Sequence, residues 1–129
     1  MINSYKELRV WQTAEELFEM VCEDIEKFPN KRVAWVIGDQ LIRATGSVGA
    51  NIAEGFGRKT KNDIIHFFTI AYGSAIESEV WANRALKREF ITKERAQIYE
   101  SKIESILKMI NRFRTQLRNS ENEGRRTKN

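Results

Sequence analysis

The sequence predicts an all-α fold, an antiparallel up-and-down four-helix bundle, on three observations. Apolar residues recur at three- and four-residue steps through four successive segments, which is helical spacing. Only seven glycines and one proline occur in 129 residues, few for the many turns of an all-β chain. The breaks between the segments are short, which favours antiparallel neighbours.

The first segment spans residues 5–27, with Leu8, Trp11, Ala14, Phe18, Val21 and Ile25 on its apolar side. Phe28-Pro29 ends it, because proline pushes its predecessor out of the helical region. The second spans 31–54, with Asn30 as its expected N-cap and Val33, Ile37, Leu41, Ala44, Val48 and Ile52 as its stripe. Gly55 is its expected left-handed terminator. The third spans 61–88, with Thr60 and Asp63 as a capping pair. Its broad apolar face includes Phe68, Ala71, Ala75, Ile76, Val80 and Leu86. The fourth spans 93–118, capped by Thr92, with Tyr99, Ile103, Ile106, Ile110 and Phe113 inside. Residues 1–118 form the predicted bundle. Residues 119–129 contain no apolar side chain and are expected to be a disordered polar and basic tail.

Hydrophobic residues at 41% and charged residues at 31% place the chain among globular proteins. No apolar run approaches the roughly 20 residues of a membrane span, and the N-terminus has no apolar leader core. Cys22 is the only cysteine. It has no internal disulfide partner, and a buried, inert thiol in a reducing cytoplasm is expected. The net charge of +4 is unevenly placed. Residues 1–26 carry two basic and seven acidic residues, a net −5, whereas 108–129 carry seven basic and two acidic, a net +5. Such asymmetry can steer an anionic partner or pair unlike surfaces in self-association.

The stretch Arg43–Arg58 is unusual. Gly46 and Gly49 lie inside a predicted helix, where each costs about 1 kcal/mol relative to alanine. Close packing of another backbone on Gly46, Gly49, Ala50 and Ala53 is the plain explanation. Arg43, Ser47, Asn51 and Glu54 line one face at steps of four, four and three. Arg43 and Asn51 are placed to bond Glu77 or Glu79 of the third helix. This set reads as a polar network that fixes helix register, with a recognition surface as the alternative.

These segments resemble the four helix bundle protein family, also known as the S23 or 23S rRNA intervening-sequence protein family. The matching pieces are LRVWQTAEEL (8–17), Phe28-Pro29, QLIRATGSVGANIAEGFGR (40–58) and FFTIAYGSAIESE (67–79). The resemblance implies a four-helix bundle assembled as a homopentamer, without enzymatic activity or a cofactor. It also implies kinship with the accessory subunit of diversity-generating retroelements, which binds nucleic acid and a reverse transcriptase. RNA or DNA and a reverse transcriptase or other protein are therefore the partners it suggests.

Catalytic and ligand motifs are sparse. The glycines do not form a phosphate-binding loop, and no strand precedes them. His66 is the only histidine, and no nucleophile motif accompanies it. Cys22 and His66 are too few for a structural zinc site, and the Glu-x-x-His pairs of di-iron bundles are absent. The chain is therefore read as a non-enzyme without metal or cofactor.

Trp35 and Trp81 lie off the core stripes and are candidate oligomer-interface residues, tryptophan being enriched at binding hot spots. Lys108, Arg112, Arg114, Arg118, Arg125 and Arg126, with a smaller cluster at Arg58, Lys59 and Lys61, are candidate phosphate contacts. Dipole compensation and solubility are the plainer reading of those charges. The expectation is a homo-oligomeric scaffold that binds nucleic acid through phosphates, alternatively a protein–protein adaptor without a nucleic-acid role.

Overall fold

The computed structural model of the protein describes residues 1–128, with side chains through Ser120. Four helices follow a short 3-10 turn at Tyr5–Glu7: α1 (Arg9–Ile25), α2 (Arg32–Phe56), α3 (Lys61–Lys87) and α4 (Lys93–Lys128). Each helix packs on its sequence neighbours and α4 closes onto α1, while neither diagonal pair is in contact among the described residues. The all-α four-helix bundle is therefore as predicted.

The first segment breaks at Leu8, which is extended (φ −73°, ψ 125°). Ser4 accepts from the Lys6 backbone N–H, and Glu7 accepts from that of Asn3, so the turn before it is separately capped. In α2 the N-cap is Lys31, with no side-chain cap; Asn30 does not fill that role. Thr60 and Thr92 do cap as expected, accepting from the backbone N–H of Asp63 at 3.2 Å and of Arg95 at 3.1 Å. The fourth helix continues as backbone through Lys128, past the boundary read at residue 118. Residues 119–128 contain no proline, and most of them are polar residues that a helix accepts.

The core holds Leu17, Leu41, Ile52, Phe68, Ile103 and Ile106, all fully buried. Each such side chain contributes about 1.5–3 kcal/mol by leaving water. Phe68 stacks on Phe113, with centroids 4.4 Å apart. The inward stripe of α1 is Val10, Ala14, Leu17 and Val21, rotated from the predicted one. Trp11, Phe18 and Ile25 sit instead at its edge, against the glycines of α2. A Cβ on Gly49 would lie 3.6 Å from Trp11, one on Gly46 3.7 Å from Phe18, and one on Gly38 3.4 Å from Ile25. The expected close approach of another backbone is not what covers Gly46 and Gly49: the side chains of Phe18, Trp11 and Glu15 lie over them, and Ala50 is exposed.

Gly55 is not a left-handed terminator. Among the described residues no glycine has positive φ, and Gly55 is a buried helical residue under the aromatic rings of α3. A Cβ there would stand 2.9 Å from Phe68 Cδ1. The left-handed position falls at Glu89 (φ 61°), after α3. There Phe90 N–H reaches Ala85 O and Glu89 N–H reaches Leu86 O, both at 2.9 Å, a Schellman closure built without glycine. Ile76 and Val80, expected inside, are exposed at 39% and 41%. Apart from Phe68, the buried positions of α3 are filled by Ala71, Ser74, Ala75, Ser78, Ala82 and Ala85, which let α2 and α3 pack closely.

Candidate nucleic-acid interface

The loop between α2 and α3 carries Arg58 and Lys59, and Lys61 opens α3. Lys61 donates from Nζ to Ser120 Oγ at 3.3 Å. That contact brings the loop beside α4, two residues beyond Arg118. Lys61 of the smaller basic cluster and Arg118 of the larger one therefore lie at the same end of the bundle. Lys59 and Arg118 are exposed there, and Lys61 is half-buried. Arg58 pairs with Glu54 one turn back and covers Phe67, its guanidinium carbon 4.6 Å from the ring centroid.

The other basic candidates are dispersed. Arg114 is half-buried: it donates to Thr69 Oγ1 at 3.1 Å, bonds Asn111, and lies 4.7 Å over Tyr72. Among the described residues its Nε is buried without a hydrogen-bond partner. Arg114 therefore fastens α4 to α3. Lys108 pairs with Glu104 at 2.9 Å on an exposed face of α4 that also carries Arg112. Arg112 and Arg118 are six residues apart, which sets them about 120° apart around the helix. Arg125 and Arg126 have side chains outside the described residues.

The polar set on α2 forms a network with different partners from those expected. Asn51 donates to Ser47 O at 2.8 Å and to Ser47 Oγ at 3.0 Å. Ser74 Oγ donates to Ser47 Oγ at 2.9 Å, joining α3 to α2. Arg43 pairs with Asp39 at 3.2 Å, within its own helix. Among the described residues Arg43 and Asn51 bond neither Glu77 nor Glu79, because the serine pair occupies the helix contact instead. Trp35 is exposed at 62%. Trp81 is half-buried, with the Arg84 guanidinium 4.5 Å above it. His66 is exposed and meets Phe67 edge-on.

A buried charge cluster escaped the sequence reading. Asp24, 7% exposed, accepts at Oδ2 from Arg95 Nε at 2.9 Å and from the Tyr99 hydroxyl. Burial pushes the Tyr99 hydroxyl well above its ordinary value, and the bond to Asp24 adds to the shift. The Arg95 guanidinium is raised chiefly by its hydrogen bond to Asp24. This cluster ties the end of α1 to the start of α4. Its signal was present: Asp24 follows Leu17 and Val21 at inward helical spacing.

Cys22 is half-buried, not buried. Burial raises its thiol above the usual value, and Glu19, Glu26 and Glu15 raise it further, so the thiolate is suppressed. Among the described residues no group of three or more His, Cys, Asp or Glu side chains is placed to hold a metal ion. No helix among them is long and apolar enough to cross a membrane.

Comparison with known proteins accords with this architecture. A protein of unknown function from the S23 ribosomal protein family of Bacteroides thetaiotaomicron has a similar solved structure, with a TM-score of 0.75 and 25% identity. The alignment covers 81% of this chain and 97% of that one. No curated protein matches the sequence. The family model described as 23S rRNA-intervening sequence protein matches residues 6–112. The chain belongs to the 23S rRNA-intervening sequence protein family.

Proposed function

We propose that the protein is a non-enzymatic, self-assembling scaffold that binds nucleic acid through its phosphates, as an accessory to RNA or reverse-transcription machinery. The observation that carries this reading is the meeting of the α2–α3 loop with α4, which gathers Lys59, Lys61 and Arg118 at one end of the bundle. Phosphate contacts of this kind supply affinity without sequence preference. Repetition of the cationic end around a homo-oligomer multiplies it and makes binding avid. The family's description, which names a 23S rRNA intervening sequence, supports RNA as the ligand class.

Fluorescence anisotropy of a labelled structured RNA tests the reading. Lys61→Glu/Arg118→Glu should bind at least tenfold more weakly than the wild type at low salt. Equal affinities reject the assignment.

The adjacent exposed side chains Trp35 and Val36, at 62% and 50%, favour a second reading, a protein–protein adaptor. Under that reading Trp35→Ala loses a protein partner or subunit contact while nucleic acid is never bound.

A further inference from the structure

The last two turns of α3 set an aromatic ring and three cations on one face. Trp81, Arg84, Lys87 and Arg88 stand at offsets of zero, three, six and seven, within about 120° around the helix. With Ile37 of α2 they line a pocket of about 490 Å³. Ile37 is buried and Trp81 half-buried, which gives the pocket an apolar wall, while Arg84, Lys87 and Arg88 are exposed. Among the described residues no acidic side chain lines it, and none of its three cations forms an ion pair. Arg58 and Lys108, by contrast, are engaged by glutamates one turn away.

Arg84 and Lys87 also complement the negative end of α3. That role needs neither a tryptophan nor a concave wall. The helix end contributes about half a negative charge, which three cations exceed, so the pocket remains positive.

The Arg84 guanidinium lies 4.5 Å over the Trp81 ring. A planar cation and an indole are both platforms on which nucleobases stack. Arg88 and Lys87 lie beside that pair, and a guanidinium fork and an ammonium both suit a phosphate. A second pocket of about 490 Å³ adjoins through Lys87 and adds Phe90, Thr92 and Lys93, with Glu89 as an acidic neighbour. The Lys31 ammonium is 5.7 Å from the centroid of Phe90. Cations and aromatic rings thus alternate from Trp81 to Lys93, the pattern of surfaces that hold unpaired bases and their phosphates together.

We infer that the Trp81 pocket holds one unpaired nucleotide, its base against the Arg84–Trp81 pair and its phosphate on Lys87 and Arg88. The chemistry differs from that of Lys61 and Arg118, which offer charge for phosphates and no aromatic platform of this kind. The two places are also separate: Lys61 stands about 35 Å from Arg84 along α3. The pocket therefore does not depend on the binding proposed for the other end of the bundle. Its nucleotide is either free or part of a single strand, and the second pocket gives a strand room for a further residue.

Anisotropy of the fluorescent nucleotide etheno-adenosine monophosphate at low salt tests the inference, with circular dichroism as the check on folding. Unlabelled adenosine monophosphate should displace the probe at least tenfold better than ribose phosphate, which lacks the base. Equal displacement overturns base stacking. Trp81→Ala should weaken binding at least tenfold while light scattering shows the wild-type mass; a changed mass overturns the assignment by making Trp81 a subunit contact. Arg84→Glu/Arg88→Glu alters only exposed side chains and should abolish binding with the fold intact, and retained affinity overturns the site. Lys61→Glu/Arg118→Glu should leave nucleotide affinity unchanged, and a loss there moves the ligand to the other end and overturns the pocket. A short single-stranded adenine oligonucleotide identifies the source: displacement at least tenfold better than by the mononucleotide supports a strand, and equal displacement supports a free nucleotide. Absence of probe binding to the wild type overturns both.

Discussion

Lys61 Nζ donates to Ser120 Oγ across 3.3 Å, joining residues 59 apart in the chain. The bond places the start of α3 beside the distal part of α4, so Lys61 and Arg118 lie at the same end of the bundle. Arg118 lies at that end, although about 160° around α4 from Ser120, whereas Arg112 lies about 9 Å closer to the middle of the bundle. Charge reversal of Arg118 should therefore weaken RNA binding and lower the salt slope by about one contact. Reversal of Arg112 should do less. Titrations of the two single variants side by side check the order, and a larger loss at Arg112 would place the ligand along the side of α4 instead of at that end.

Arg114 holds α4 against α3 through Tyr72 and Thr69. A cation over an exposed ring contributes about 0.5–1 kcal/mol, and a hydrogen bond a similar amount. Arg114→Ala should destabilise the fold by about 1–2 kcal/mol in urea unfolding. Unchanged stability would return Arg114 to the set of free phosphate contacts.

Glu89 occupies the left-handed region at φ 61°, where an L-residue costs about 1–2 kcal/mol. Glu89→Gly relieves that strain but loosens the unfolded chain. A net gain of about 0.5–1 kcal/mol is expected, read as a shift of the thermal midpoint. A loss would mean that the Glu89 side chain makes a contribution larger than the strain.

Tyr99 donates to the buried carboxylate of Asp24. Tyr99→Phe removes one of the two donors at Oδ2, and the expected cost is about 1.5–3 kcal/mol, as for a hydrogen bond to a charged group. The raised Tyr99 value gives the cost a pH dependence. The unfolded chain releases the phenol proton near pH 10, while the folded chain still holds it. Tyr99 therefore contributes its full stability below about pH 10 and loses it progressively above. The gap in unfolding free energy between wild type and Tyr99→Phe should shrink as pH rises past that point. A constant gap contradicts the assignment.

The helices, their order and most inward residues of α2 and α4 were legible because those stripes keep one period for several turns. The α1 stripe was read about half a face off. Ala14 and Val21 belong to both possible stripes, and the choice is made by α2, whose Gly38, Gly46 and Gly49 accept Ile25, Phe18 and Trp11 at the seam. No pattern within α1 carries that information. Gly55 misled for a related reason: glycine at a helix end usually marks a left-handed turn, but here Phe68 crosses the chain at this point. The basic residues were legible as a list and not as a surface. Their division into Arg114 packed on α3, Lys108 and Arg112 along the side of α4, and Lys61 and Arg118 at one end depends on helix rotation and on the path of the α2–α3 loop.

The central claim is that this bundle binds nucleic acid through phosphates at its cationic end. The most direct measurement is the affinity of the wild-type protein for a structured RNA, titrated by anisotropy across a salt series. The predicted result is tight binding at low salt, with log affinity falling linearly against log salt at a slope of about −0.9 for each duplex phosphate neutralised, and a shallower slope for Lys61→Glu/Arg118→Glu. Absence of binding at low salt, or an affinity indifferent to salt, would contradict it.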